Sequence, residues 1–479
     1  MKRLTKKFAV LLVVLAVAPI GMAFSLLGPY KSWQVGALGY NLPGDIGGPM
    51  DFNEGYRWNV PTVSYAFDYT FVTYFGSNGI AAVEKAIQIL NDLPPAASIT
   101  NDGASLYIRG QRVPFDSRVE NFSLQTLGLL DLKSVALHFL LEEQGLAEPD
   151  RWVWSLRGRN TETFGGVTIT NYTTRQLNYD PITITPSRVV NNRSYGYDIL
   201  DPVQPGNYAF AFARPSNDPG EDAAFSAVAG QFSLSPGVFY FGLSHDDVGG
   251  LRYLYNTNNI VTENLLPTVA AGTPFPGSSP WTPYFSSVTN AFVQSSNQYA
   301  YFVGGTGTNL IVRGLRPGVS KLHFQRVNFD SLIGSTFVTI TNLYTDTTIS
   351  NARPVIQPVQ RVIRQPDILF VAADNGLNNG LTPFITARTG TTGWLNNDAI
   401  NGIAGQGGPG VITPPVQISF SDQLPYFINR SPPPSFLSSE SSFESLIWAS
   451  FDGTTNAPIL YPSYGKVKLS DLQNFVLGK

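Results

Sequence analysis

DLKSVALHFLLEEQGLAEPD, residues 131–150, reads as one helix with a marked start and a marked stop. Asp131 stands before the first apolar residue as an N-cap, Gly145 sits where helices turn out through left-handed backbone, and Pro149 blocks continuation. At the helical period, Leu132, Val135, Ala136, Phe139 and Leu140 fall on one apolar stripe, while Ser134, His138 and Glu142 line the opposite face. Groups four residues apart on a helix can grip one cation. The same spacing also suits a plain polar face, where a histidine–carboxylate pair adds a few tenths of a kcal/mol. Glu143 is the exception in the pattern, because it falls on the apolar stripe. It is expected to reach past the core edge to water, or to pair with Arg151 or Arg157; the sharper alternative is a buried carboxylate with a raised pKa.

The helix resembles the zinc-binding helix of the matrixin-like (metzincin) peptidases, whose pattern is an aliphatic lead-in followed by HExxHxxGxxH. SVALH followed by FLLEEQGLAE places His138 at the first ligand and Gly145 at the turning glycine. RWNVPTVSYAFD with the helix after it resembles the family's opening strand and helix, and LSHDDVGGLRYLY, residues 243–255, resembles its closing helix. The resemblance implies a zincin-like α+β domain. It also implies a degenerate site. Phe139 occupies the position of the general base, and a phenyl ring cannot take a proton from a metal-bound water. Glu142 and Glu148 stand at the second and third ligand positions, and the only methionines are Met1, Met22 and Met50, so the family's Met-turn has no counterpart. His138, Glu142 and Glu148 still form a chemically reasonable set for zinc or another divalent metal. The expectation is therefore a non-catalytic protein with no cofactor, and the alternative is an active metallohydrolase with this altered site.

The rest of the sequence bounds these readings. Hydrophobic content of 43% and aromatic content of 13% argue for a folded chain. The start has the form of an export signal: Lys2, Arg3, Lys6 and Lys7 precede FAVLLVVLAVAPIGMA, and Gly21 with Ala23 offers a small-x-small cleavage site before Phe24. Without residues 1–23 the chain carries 27 basic against 34 acidic side chains, a net charge of −7, which is the wrong sign for nucleic acid. No later run is long and apolar enough to span a bilayer, so the expected location is extracellular, cell-surface or periplasmic. The absence of cysteine excludes disulfides, thiolate metal sites and cysteine nucleophiles.

Pattern divides the chain. Residues 1–23 are the signal peptide, 24–260 an α+β domain, 261–286 a Pro/Gly/Thr/Ser-rich linker, 287–365 a β-sandwich domain and 366–479 a β-rich unit with long loops. Three helices are predicted before residue 260: one from Ser77 or Asn78 to Pro94, the His138 helix, and one starting at Ser244 or Asp246. TVSYAFDYTF is read as a strand, NARPVIQPVQRVIRQP as a divider, and the loops GIAGQGGPGVITPP and SPPPSFLSSESS as surface segments.

Other candidate residues are weaker. His245 with Asp246 and Asp247 suits a cation, but both acids also suit the positive end of a helix dipole. His323 reads as a surface residue on a strand. In RWVWSLRGR, Trp152 and Trp154 are expected on one side of a strand, either stacking on a sugar ring or protein partner, or packed in the core. An extracellular protein or polysaccharide is the partner class these aromatics suggest.

Overall fold

The computed structural model describes residues 23–40, 46–201 except 53, 210–215, 227–230, 235–271 except 267, 292–294, 300–302, 310–372, 385–388, 412–420 except 413, 447–464 except 455, and 468–477. The expected signal peptide up to residue 22, most of the linker, all of SPPPSFLSSESS and all of GIAGQGGPGVITPP but Ile412, Pro414 and Pro415 lie outside them; Ile412 is buried in the core, so that end of the segment is not at the surface. Among the described residues strand accounts for 39% and helix for 20%, a β-rich content, as the short alternating runs predict.

A five-stranded mixed sheet organises the molecule. Its order is His323–Arg326, Thr62–Phe67, Ile368–Val371, Val416–Phe420 and Ile385–Arg388; the first four run parallel and the last is antiparallel. Parallel sheets are buried on both faces, which explains why VSYAF and ILFV read as nearly continuous apolar runs. Strands from three of the expected units therefore pair in one sheet, and boundaries near residues 260 and 365 cut across it. One continuous apolar core gathers side chains from Phe24 to Tyr461. Sequence pattern is local, and parallel pairing between strands hundreds of residues apart leaves no mark in it.

Buried ion pairs fasten the distant segments. Asp367 accepts hydrogen bonds from the Ser64 amide (2.7 Å) and hydroxyl (2.8 Å), and Arg361 forks onto the same carboxylate, with Nη1 at 3.0 Å. Arg57 makes a two-pronged contact with Glu263 at 2.7 and 2.9 Å. These pairs tie the segment around Ser64 and Arg57 to chain that follows it by about two hundred to three hundred residues.

Two elements differ from the sequence reading. The first helix runs Tyr69–Asn91, with Asp68 as its cap and a break at Gly76 (φ 61°). The predicted start at Ser77 or Asn78 falls at that break. YTF, residues 69–71 and the end of the predicted strand, belongs to the helix because Phe71 and Phe75 enter the aromatic core beside Phe370 and Phe420. The supposed divider is the strand Arg353–Ile363, paired along its whole length with Ile340–Ser350. Pro354 and Pro358 share parity, so their missing N–H groups fall on one side, while Val355, Gln357, Val359, Arg361 and Ile363 are buried on the other face. These two strands belong to a seven-stranded sheet that also includes Val261–Asn264 and Arg313–Arg316.

Removing the Asp367 carboxylate leaves the Arg361 guanidinium buried without its counter-charge. Asp367→Ala is expected to cost about 3–5 kcal/mol in urea unfolding; a loss below about 1 kcal/mol would show that the clamp does not hold the sheet together.

Candidate functional site

The His138 helix spans Leu132–Glu143 and starts as its sequence predicts: the Asp131 carboxylate accepts from the Ser134 amide (3.0 Å) and hydroxyl (2.6 Å). Its polar face is not solvated. Ser134, His138 and Glu143 are 0% exposed and Glu142 is 1% exposed, so both faces of the helix are interior. The expectation that Glu143 reaches water fails for this reason, and its carboxylate is buried.

The stop works through Gly145. Its backbone is left-handed (φ +104°), and a Cβ there would lie 2.0 Å from the Tyr56 carbonyl oxygen, so glycine is required twice over. The turn is pinned by Trp58 Nε1 donating to the Glu143 carbonyl (2.8 Å), Tyr255 Oη to the Gln144 carbonyl (2.8 Å) and the Leu27 amide to the Gly145 carbonyl (2.8 Å). The chain then forms the short strand Leu146–Ala147 against Phe24–Gly28 and delivers Glu148 back beside the helix.

His138, Glu142 and Glu148 consequently meet: one ligand atom from each lies within 4.8 Å of the others. The imidazole is oriented. Nδ1 lies 2.8 Å from the Val228 carbonyl, which only accepts, so Nδ1 carries a proton and Nε2 faces the carboxylates. Glu142 Oε1 is 3.6 Å from Nε2, too long for a hydrogen bond, and among the described residues Nε2 has no hydrogen-bond partner. Arg151 Nη1 lies 3.2 Å from Glu148 Oε2 and supplies part of the compensating charge. A divalent ion fits this donor set, with imidazole nitrogen and two carboxylates converging and the Nδ1 proton held by a backbone carbonyl, the arrangement that orients metal-bound histidines.

The carbonyl that aims His138 is itself clamped. Asp247 accepts from the amides of Val228 (3.0 Å) and Ala229 (2.9 Å) as well as from the Ser244 amide and hydroxyl. Burial pushes the Asp247 carboxyl pKa up, and these hydrogen bonds pull it back. Ser244 and Asp247 form the capping box of the helix His245–Tyr255. Sequence reasoning offered Asp247 as a cation ligand or a dipole partner and missed its grip on residues 228–229, because the 227–230 segment has no periodic or motif signal.

The remaining candidates are structural. His245 is buried: Nε2 accepts from the Leu106 amide (3.0 Å) and Nδ1 faces Asp246 (3.2 Å). Asp246 also accepts from the amides of Asn191 (2.7 Å) and Ala23 (2.8 Å). Ala23, the last residue of the expected signal peptide, is thus packed into the folded body. His323 is exposed on the edge of the mixed sheet, as expected. Trp152 does not present its ring to solvent; it is buried, stacked on Tyr40 (5.3 Å, 6°) with the Arg151 guanidinium over it. Trp154 is half-buried against Tyr197. The strand begins only at Ser155, so the predicted alternation through Arg151–Leu156 does not form.

Compared with protein-family models, curated proteins and solved structures, the chain matches none.

Gly145→Ala adds both backbone strain and a clash at the turn that delivers Glu148. It is expected to cost about 3 kcal/mol or more in chemical unfolding; a cost under about 1 kcal/mol would mean that the turn relaxes freely.

Proposed function

We propose that this chain is an exported, non-catalytic protein with a structural or binding role outside the cytoplasm, and that His138, Glu142 and Glu148 hold a divalent metal as part of its interior. In this reading the N-terminal α+β region is a degenerate matrixin-like scaffold, the following β region is sandwich-like, and the ligand is an extracellular protein or polysaccharide.

One observation carries the proposal: the three candidate ligands are 0%, 1% and 4% exposed. A catalytic metal needs an open coordination position that substrate can reach, whereas structural sites are closed. Phe139, fully buried beside His138, supplies no base, with ring centroids 5.1 Å apart. The His138 imidazole orients the site and the two carboxylates supply charge. When bound, the ion would neutralise those carboxylates and link the helix to the Gly145 turn.

Thermal melting with and without a chelator tests the reading, together with casein hydrolysis. Chelation is expected to lower the wild-type Tm by about 5 °C, to leave His138→Ala unmoved, and casein is expected to remain intact. Chelator-sensitive cleavage of casein would overturn the non-catalytic reading, and an unchanged wild-type Tm would remove the structural ion.

A further inference from the structure

A second charged cluster lies at Lys31, Asp51 and Glu54, with the lysine and the glutamate buried and the aspartate half-buried. Lys31 is 7% exposed and Glu54 2% exposed, and the Lys31 Nζ lies 2.5 Å from Glu54 Oε2 and 3.1 Å from Asp51 Oδ2. The lysine is positioned from both sides. Its amide donates to Gln34 Oε1 (2.7 Å), and Gln34 Nε2 donates to the Pro49 carbonyl (3.1 Å), which folds the 31–34 turn over the Gly48–Met50 strand. The other Asp51 oxygen, Oδ1, faces Arg175 Nη2 at 2.6 Å and receives the Tyr179 hydroxyl at 3.3 Å. Aromatic rings wall the cluster, with Phe52 and Tyr179 centroids only 3.7 Å apart.

This arrangement has the parts of a condensation. A primary amine touches a carboxyl group, a second carboxylate touches the amine, and two donors sit on the carboxyl oxygen that does not face the amine. Proximity of this kind replaces an encounter in solution. We propose that Lys31 and Asp51 are joined by an intramolecular amide bond from Nζ to Cγ, formed with Glu54 as the proton relay.

The step balances without any other reagent. The ammonium gives a proton to Glu54, and the neutral Nζ attacks Asp51 Cγ, forming the C–N bond and placing negative charge on oxygen. Arg175 and Tyr179 stabilise that charge on Oδ1. Nζ then loses a second proton; both protons pass through Glu54 to Oδ2, the Cγ–Oδ2 bond breaks, and water leaves. Glu54 ends as the carboxylate it began as, and the charges of Lys31 and Asp51 disappear together. Burial favours the neutral amine while Glu54 and Asp51 hold the ammonium, with a net upward shift of the Lys31 pKa, so transfer to Glu54 comes first. The product closes a loop between residues 20 apart. It would give a cysteine-free chain a covalent cross-link that reducing agents cannot open.

Intact mass of the purified full chain in denaturant tests this, after its N-terminal residue has been determined. The wild type is expected to be lighter than its sequence by one water, with tryptic peptides carrying Lys31 and Asp51 recovered as one branched species. Lys31→Arg and Glu54→Gln are expected at their full sequence masses. A wild-type chain of full mass whose Lys31 is acetylated in denaturant would overturn the proposal, as would a water loss that maps elsewhere. The wild-type measurement decides the question even if a variant fails to fold.

Discussion

The His138 site depends on one hydrogen bond, from His138 Nδ1 to the Val228 carbonyl. It places a proton on Nδ1 and turns Nε2 toward Glu142 and Glu148. The carbonyl is in place because Asp247 holds the amides of Val228 and Ala229. Asp247 is in place because it caps the helix that begins at His245. A helix cap, a two-residue clamp and an imidazole thus form one chain of constraint in a region with almost no solvent. Burying two carboxylates together is costly unless charge is supplied, and Arg151 supplies only part of it.

How much of this was legible follows from the range of each signal. Asp131, Gly145 and Ser244 announce helix ends, and the structure places those ends where the residues say, because capping is settled within a turn of chain. The candidate trio was legible for the same reason: residues four and ten apart around one helix and its turn are brought together by local geometry. Burial was not legible. The two-faced pattern of the His138 helix predicts a solvated side, yet packing from both directions covers it. For Trp152 the sequence leaves partner stacking and core packing both open, and nothing in RWVW shows that Tyr40 lies over its ring.

The mixed sheet was the larger omission. Thr62–Phe67 lies between His323–Arg326 and Ile368–Val371, strands that follow it by more than two hundred and fifty residues. Such pairings close long loops, and the loop-closure cost grows only slowly with length, so composition gives no warning of them. What marks them in retrospect is a set of scattered arginines and acids. Arg57 with Glu263, Arg316 with Asp346 and Arg361 with Asp367 form buried, hydrogen-bonded pairs in a chain with 14% charged residues.

Elemental analysis of the full chain, purified without added metal or chelator, tests the central claim most directly. A closed interior site built on His138, Glu142 and Glu148 predicts one equivalent of a divalent transition metal, reduced to background in Glu142→Gln. A folded wild-type protein with no stoichiometric metal, or one whose metal is retained in that variant, would contradict it.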